Sequence, residues 1–317
     1  MSVQVFDFRM AKWMPFQDQE ESRRVAAIKR EDIAKHPNPD FKIIVLDDEE
    51  FPFRLVTDIY FRIKKAGEEG RRLVLILPQP ETLYSWVAFL LNQSRVNCAH
   101  LHTFNMDEYA DEQGNIAPES WPNSFLYNMK KNFYAKLEAS LRPPEKQIQG
   151  PTNANFQDYG KMIEDLGGAD VCYGGIGWSG HIAYIEPGSE AYAAESLEEW
   201  KKLGPRIVKL TPFSILQNSL GPEFGQSGDW SSVPPQGATV GPAQIVGAKL
   251  RSSWNGFRVG RSMVSWQRFT VRLAAHGPVT PLVPASIIQT LPTELYLSET
   301  LAADIKPLSV DEFSWYK

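Results

Sequence analysis

Two short stretches hold the residue types that could do chemistry. The first is FNMDEY, residues 104–109, where Asp107 and Glu108 sit side by side after an apolar run. The second is GGIGWSGHIAYIEPGSE, residues 174–190, with Gly174, Gly175, Gly177 and Gly180 crowded ahead of His181, and Glu186 five residues beyond it. Adjacent acids can serve as a general base and an orienting partner when one is desolvated and its pKa rises. On position alone the same pair also fits two solvated loop acids. A lone histidine is often structural, but the glycines permit positive φ and close backbone approach to a ligand, which a structural histidine does not need. If the segment curls, Glu186 can hydrogen-bond His181 and hold one tautomer, a recurring device in acid–base catalysis. His36, His100, His102 and His276 show no ligand spacing with His181, so no metal site is expected. Ser179, in WSGH, lacks the flanking pattern of a hydrolase nucleophile.

The elements that must position these residues read as an alternation. KIIVLD (42–47), RLVLILP (72–78), AHLHTFN (99–105), DVCYGG (170–175), RIVKLT (206–211) and a run around ELYLS (294–298) read as strands. FRLVTDIYFRIKKAG (53–67), ETLYSWVAFLLNQ (81–93), a stretch near 155–167 and another near 262–275 read as helices. Continuous apolar strands between amphipathic helices predict an α/β fold, a doubly wound, mostly parallel sheet with helices on both faces, in a single domain. Both reactive stretches then follow strand ends, where ligands bind in such sheets. Residues 1–40 read as an N-terminal extension, a separate appendage whose paired charges over 18–35 predict a solvated helix broken by HPNPD. The domain proper is 41–317, with a Gly-, Ser- and Pro-rich mobile segment near 221–240.

The formal charge of −5 over 317 residues gives no footprint for nucleic acid, and no basic run suggests a membrane surface. Cys98 and Cys172 lie in strand-like segments and read as buried free thiols. With no export signal in MSVQVFDFRMAKW and no membrane-length apolar run, the expected place is the cytoplasm.

Taken together, FNMDEY and GGIGWSGHIAYIEPGSE resemble the two signature segments of the glucosamine-6-phosphate deaminase (isomerase) family, F-N-M-D-E-Y and G-G-I-G-x-D-G-H-I-A-F-N-E-P. PASIIQ (284–289) adds to a resemblance running from about 41 to 303. It implies a modified Rossmann-like fold shared with 6-phosphogluconolactonases, and an aldose–ketose isomerisation with loss of ammonia. It implies that Asp107 takes a proton from the amine-bearing carbon, that His181 opens the sugar ring, and that Glu186 orients it, with Glu108 a supporting acid. Thr82, Gly175, Gly177, Ser179 and Gly180 would bind substrate, a sugar or sugar phosphate. Neither a metal nor an organic cofactor is implied, and a homo-oligomer is.

The departures all concern proton relay and phosphate. Ser179 stands where the family has an aspartate, and a hydroxyl supplies no negative charge to an imidazolium. The family's L-P-T-G-G-T-P phosphate loop is LPQPETLY (77–84) here, keeping only Thr82. Pro80 removes a backbone donor and Glu81 brings a charge that repels phosphate. The phosphate arginine's counterpart is Leu220 in RIVKLTPFSILQNSL, and the lysine's falls near GRSM (260–263), at Met263 beside Arg261. These changes favour a divergent member acting on an amino sugar phosphate or on a related sugar lacking the usual phosphate. Trp178, Trp230 and Trp254 either stack on a sugar face or pack in the core. A lactonase of the 6-phosphogluconolactonase type and a non-catalytic sugar-binding protein of the same fold are the alternative readings.

Overall fold

A computed structural model describes residues 8–79, 82–256 and 266–307. Its strands are β1 (Phe41–Leu46), β2 (Leu73–Leu77), β3 (Leu101–Asn105), β4 (Asp107–Ala110), β5 (Ile148–Gln149), β6 (Val171–Gly174), β7 (Arg206–Lys209), β8 (Gln236–Thr239), β9 (Leu250–Asn255) and β10 (Thr293–Ser298). The helices are α1 (Gln19–Ala26), α2 (Glu50–Glu68), α3 (Tyr84–Gln93), α4 (Phe125–Asn132), α5 (Tyr159–Asp165), α6 (Leu197–Trp200), α7 (Pro212–Asn218), α8 (Pro242–Gly247), α9 (Arg268–His276) and α10 (Glu299–Ala302).

Seven strands form one sheet in the order β1-β10-β9-β6-β2-β3-β5, every pair parallel. The apolar run of β2 explains itself here. Leu73, Leu75 and Leu77 enter one core, with Val56, Ile63 and Val87 of α2 and α3. Val74 and Ile76 enter the other, with Val271 and Leu273 of α9. A strand buried on both faces needs no polar alternation. Cys98 and Cys172 are free and buried. No helix among the described residues is long and apolar enough to cross a membrane.

The structure departs from the sequence reading at β9, a main-sheet strand not expected there, and in two further places. A second, three-stranded antiparallel sheet, β4-β8-β7, stands beside the main one. RIVKLT supplies its strand β7 rather than a strand of the main sheet, and β8 lies inside the stretch expected to be a mobile segment, with Ala238 fully buried between its two neighbours. The N-terminal helix is not a separate, solvated element. α1 packs on α9, and Val25 and Ile33 are fully buried in the main core. Arg24 donates to the His276 carbonyl, His276 meets the Ile33 carbonyl, and Arg272 donates to that of Ile28. Exposed ion pairs such as Arg30–Glu299 add little beside that burial.

Candidate active site

A cleft of about 700 Å³ opens at the carboxyl ends of the parallel strands, lined by residues that follow β1, β2, β3, β6, β9 and β10. Asp107 and His181 both line it. Asp107 begins β4, opposite Thr239 of β8. Its Oδ1 accepts the Tyr184 backbone N–H at 3.1 Å. Burial pushes its carboxyl up to about 7, against the hydrogen bonds from Thr239 and Tyr184, and neighbouring Glu108 adds to the rise. Tyr184 reaches Asp107 because Ala183 takes a left-handed φ of 51°. That conformation costs a non-glycine residue about 1 kcal/mol and is met here within the cleft wall.

Glu108 does something else. Successive strand residues face opposite sides, and the Glu108 side chain turns to the N-terminus of α4. It accepts the backbone N–H of Tyr109 (3.0 Å), Phe125 (2.9 Å) and Leu126 (3.0 Å) and the Ser124 hydroxyl (2.8 Å). Burial raises its pKa to about 7 in spite of these donors. Glu108, expected as a supporting acid, caps the N-terminus of α4 and is not among the residues that line the cleft.

His181 is held from behind. Its Nδ1 lies 2.9 Å from Ser179 Oγ and 3.1 Å from Ser214 Oγ, and 3.7 Å from Glu186 Oε2. Glu186 in turn accepts the Thr211 N–H (3.1 Å), the Thr211 hydroxyl (3.2 Å) and the Ser179 hydroxyl (3.3 Å). Burial lowers the pKa of His181, and Glu186 opposes that shift. The curl that the sequence requires is real: Gly180 takes φ of 85°, and the Gly177 N–H donates to the His181 carbonyl at 2.9 Å. A side chain at 177 would overlap the His181 ring. The close approach that this glycine permits is thus first of all to the histidine itself.

Of the expected substrate-binding residues, Thr82, Gly175 and Gly177 line the cleft. Ser179 and Gly180 do not: Ser179 sits behind the imidazole, and Gly180 packs on Val283, whose Cγ1 would lie 3.0 Å from a Cβ there. Trp254 lines the cleft and stacks on Tyr296, with ring centroids 3.9 Å apart. Trp178 stacks on Trp266 at 4.3 Å, while Trp230 is exposed, and neither lines the cleft. Leu220 does line it, and so do Gln79 and Gln267. Gln79 donates to Glu223, which also accepts from the Tyr109 hydroxyl at 3.4 Å. No lysine or arginine lines the cleft among the described residues. Pro80, Glu81, Arg261 and Met263 lie outside them.

Sequence reasoning missed Ser214, Tyr184 and Thr239. Only Ser214 left a signal, since Thr211-Pro212 after a strand marks a helix start and places Ser214 in its first turn, where its N–H meets the Thr211 hydroxyl.

No family model matches the chain. A glucosamine-6-phosphate deaminase of Halothermothrix orenii is 31% identical over 234 residues, covering 71% of this chain and 83% of that relative. One of Parabacteroides distasonis is 28% identical over 269 residues, covering 81% of this chain and 87% of its own. The solved structure of a monomeric glucosamine-6-phosphate deaminase superposes with a TM-score of 0.65 at 20% identity, over 83% of this chain and 99% of the other. A 6-phosphogluconolactonase from Trypanosoma brucei gives 0.55 at 18% identity, over 84% of this chain and 100% of its own. At those identities the two structures speak for the fold alone, a Rossmann-like parallel sheet. The sequence likeness to curated relatives across most of both chains goes further, and the chain belongs to the glucosamine-6-phosphate deaminase family.

Proposed function

We propose that the protein is an aldose–ketose isomerase and deaminase of amino sugars, with Asp107 as the base and His181 as the ring-opening group. The observation that carries this reading is the Asp107 carboxyl, buried on the cleft wall, oriented by the Tyr184 N–H and raised to about 7. A base of that pKa is half ionised near neutrality and gains a proton readily, which suits shuttling one between adjacent carbons. His181 Nε2 accepts the proton of the anomeric hydroxyl, the bond from C1 to the ring oxygen breaks, and the proton goes to that oxygen. Asp107 then removes the C2 proton of the open aldehyde to give an enolamine and returns it to C1, leaving a ketimine. Water adds at C2 and ammonia leaves, giving the ketose. Each proton taken is given back, and the only co-reactant is water.

The relatives' name supplies glucosamine 6-phosphate as the first substrate to test. The described cleft wall offers neutral groups such as Gln79, Thr82 and Leu220, which supports an amino sugar without the usual phosphate as the better substrate. Ammonia release should be measured with glucosamine 6-phosphate and with glucosamine. Release from either sustains the reading, a preference for the free sugar sustains its second half, and release from neither overturns it.

A further inference from the structure

Behind His181, the carboxylate and the imidazole do not meet directly. Glu186 Oε2 is 3.7 Å from Nδ1, beyond hydrogen-bonding range, whereas Ser179 Oγ is 2.9 Å from Nδ1 and 3.3 Å from Glu186 Oε2. A serine hydroxyl carries one proton. Glu186 already collects the N–H and the hydroxyl of Thr211, so its carboxylate serves as the acceptor of that cluster. The Ser179 proton then points to Glu186, and the lone pair that remains faces Nδ1. Only a protonated Nδ1 completes that contact. Ser214 Oγ, on the first turn of α7, stands 3.1 Å from the same nitrogen and gives its proton a second acceptor. The opposite edge of the ring, Nε2, lies over Gly177, and both residues line the cleft.

We propose that Ser179 and Ser214 are positioning residues that fix His181 as the neutral, Nδ1-protonated tautomer, with Ser179 carrying the influence of Glu186 to the ring. Nε2 is then the free base turned to the sugar. This rests on the reading that His181 opens the ring. When Nε2 takes the anomeric proton, the imidazolium faces two hydroxyls rather than a carboxylate at hydrogen-bonding distance, so it returns that proton to the ring oxygen readily.

The test is ¹⁵N NMR of the full-length chain labelled at histidine, with the His181 signals assigned by their loss in His181→Gln. At about pH 8, where a free histidine is neutral, the wild type should show a protonated Nδ1 and an unprotonated Nε2. In Ser179→Ala/Ser214→Ala that pattern should give way to a mixture of tautomers. On the amino sugar that is turned over, kcat of the double variant should fall about tenfold or more, the worth of one lost hydrogen bond, with KM within about twofold. Ser179→Thr, which keeps the hydroxyl, should restore the tautomer. An Nε2-protonated wild type would overturn the proposal, and so would a double variant with unchanged tautomer and kcat. The NMR result needs no substrate: a wild type with the stated tautomer that releases no ammonia would sink the functional reading and leave the positioning role standing.

Discussion

The two halves of the cleft differ in how much of their chemistry is in place. On one side, Asp107 and His181 are each held by two hydrogen bonds with buried neighbours. On the other, the described wall presents Gln79, Thr82, Leu83, Leu220 and Gln226. A proton-transfer site needs its groups fixed to within fractions of an ångström, and the first half is built that way. An anion site needs converging donors or cations, and no lysine or arginine lines the described part of the second half. On the proposed reading, the catalytic step and the recognition of the far end of the sugar are separable, the first resting on Asp107 and His181 and the second on the opposite wall.

Asp107→Asn should lower ammonia release about 10³-fold, the scale of a lost general base. Because burial raises its folded pKa from about 4 to about 7, this acid favours folding only while protonated. Its contribution is full below about pH 4 and is lost as pH rises through about 7. The same variant should therefore be more stable than wild type in urea at about pH 8 and not at about pH 4, and equal stabilities at both would contradict the buried position. Activity, which needs the ionised form, should fall as pH drops below about 7.

Gly177→Ala pushes the His181 ring off its serines, and a displacement of about 1 Å costs about 10²-fold in kcat/KM. Wild-type kinetics in that variant would mean that the ring is not placed as described. Glu108→Gln sharpens the contrast between the adjacent acids. An amide offers one oxygen to four donors and turns an N–H₂ toward them, so stability should fall by about 3 kcal/mol in urea titrations. Any remaining folded enzyme should keep its C2 exchange. Smallest is Leu220→Arg, which should shift the ratio of kcat/KM toward glucosamine 6-phosphate about tenfold by supplying one cation to the second half. No shift would place the far end of the sugar elsewhere.

Much of this was legible in the sequence, for identifiable reasons. The apolar run of β2 reads as a strand buried on both faces, and the helical spacing of α2 and α3 as the elements that cover it. The small sheet was not legible. DEYA in β4 opens with two acids and QGAT in β8 holds no large apolar residue, so neither has a strand's pattern, and their burial comes from pairing with each other. Without β4 as a strand, only the resemblance told Asp107 from Glu108, since alternation across the strand's faces is what separates the cleft wall from the helix cap. α1 misled because its charges outnumber Val25, the one fully buried side chain that seats it. Thr211-Pro212 marked the helix that carries Ser214 but not its contact with His181, for a contact across 33 residues depends on how β7 turns into α7.

If Asp107 takes the proton from the carbon bearing the amine, exchange of that proton in deuterated water reads the step directly. Wild type and Asp107→Asn should be followed by NMR on glucosamine and on its 6-phosphate. Deuterium should appear at C2 with wild type on at least one of them, with a loss of about 10³-fold in the variant. Exchange that continues undiminished in Asp107→Asn would contradict that role.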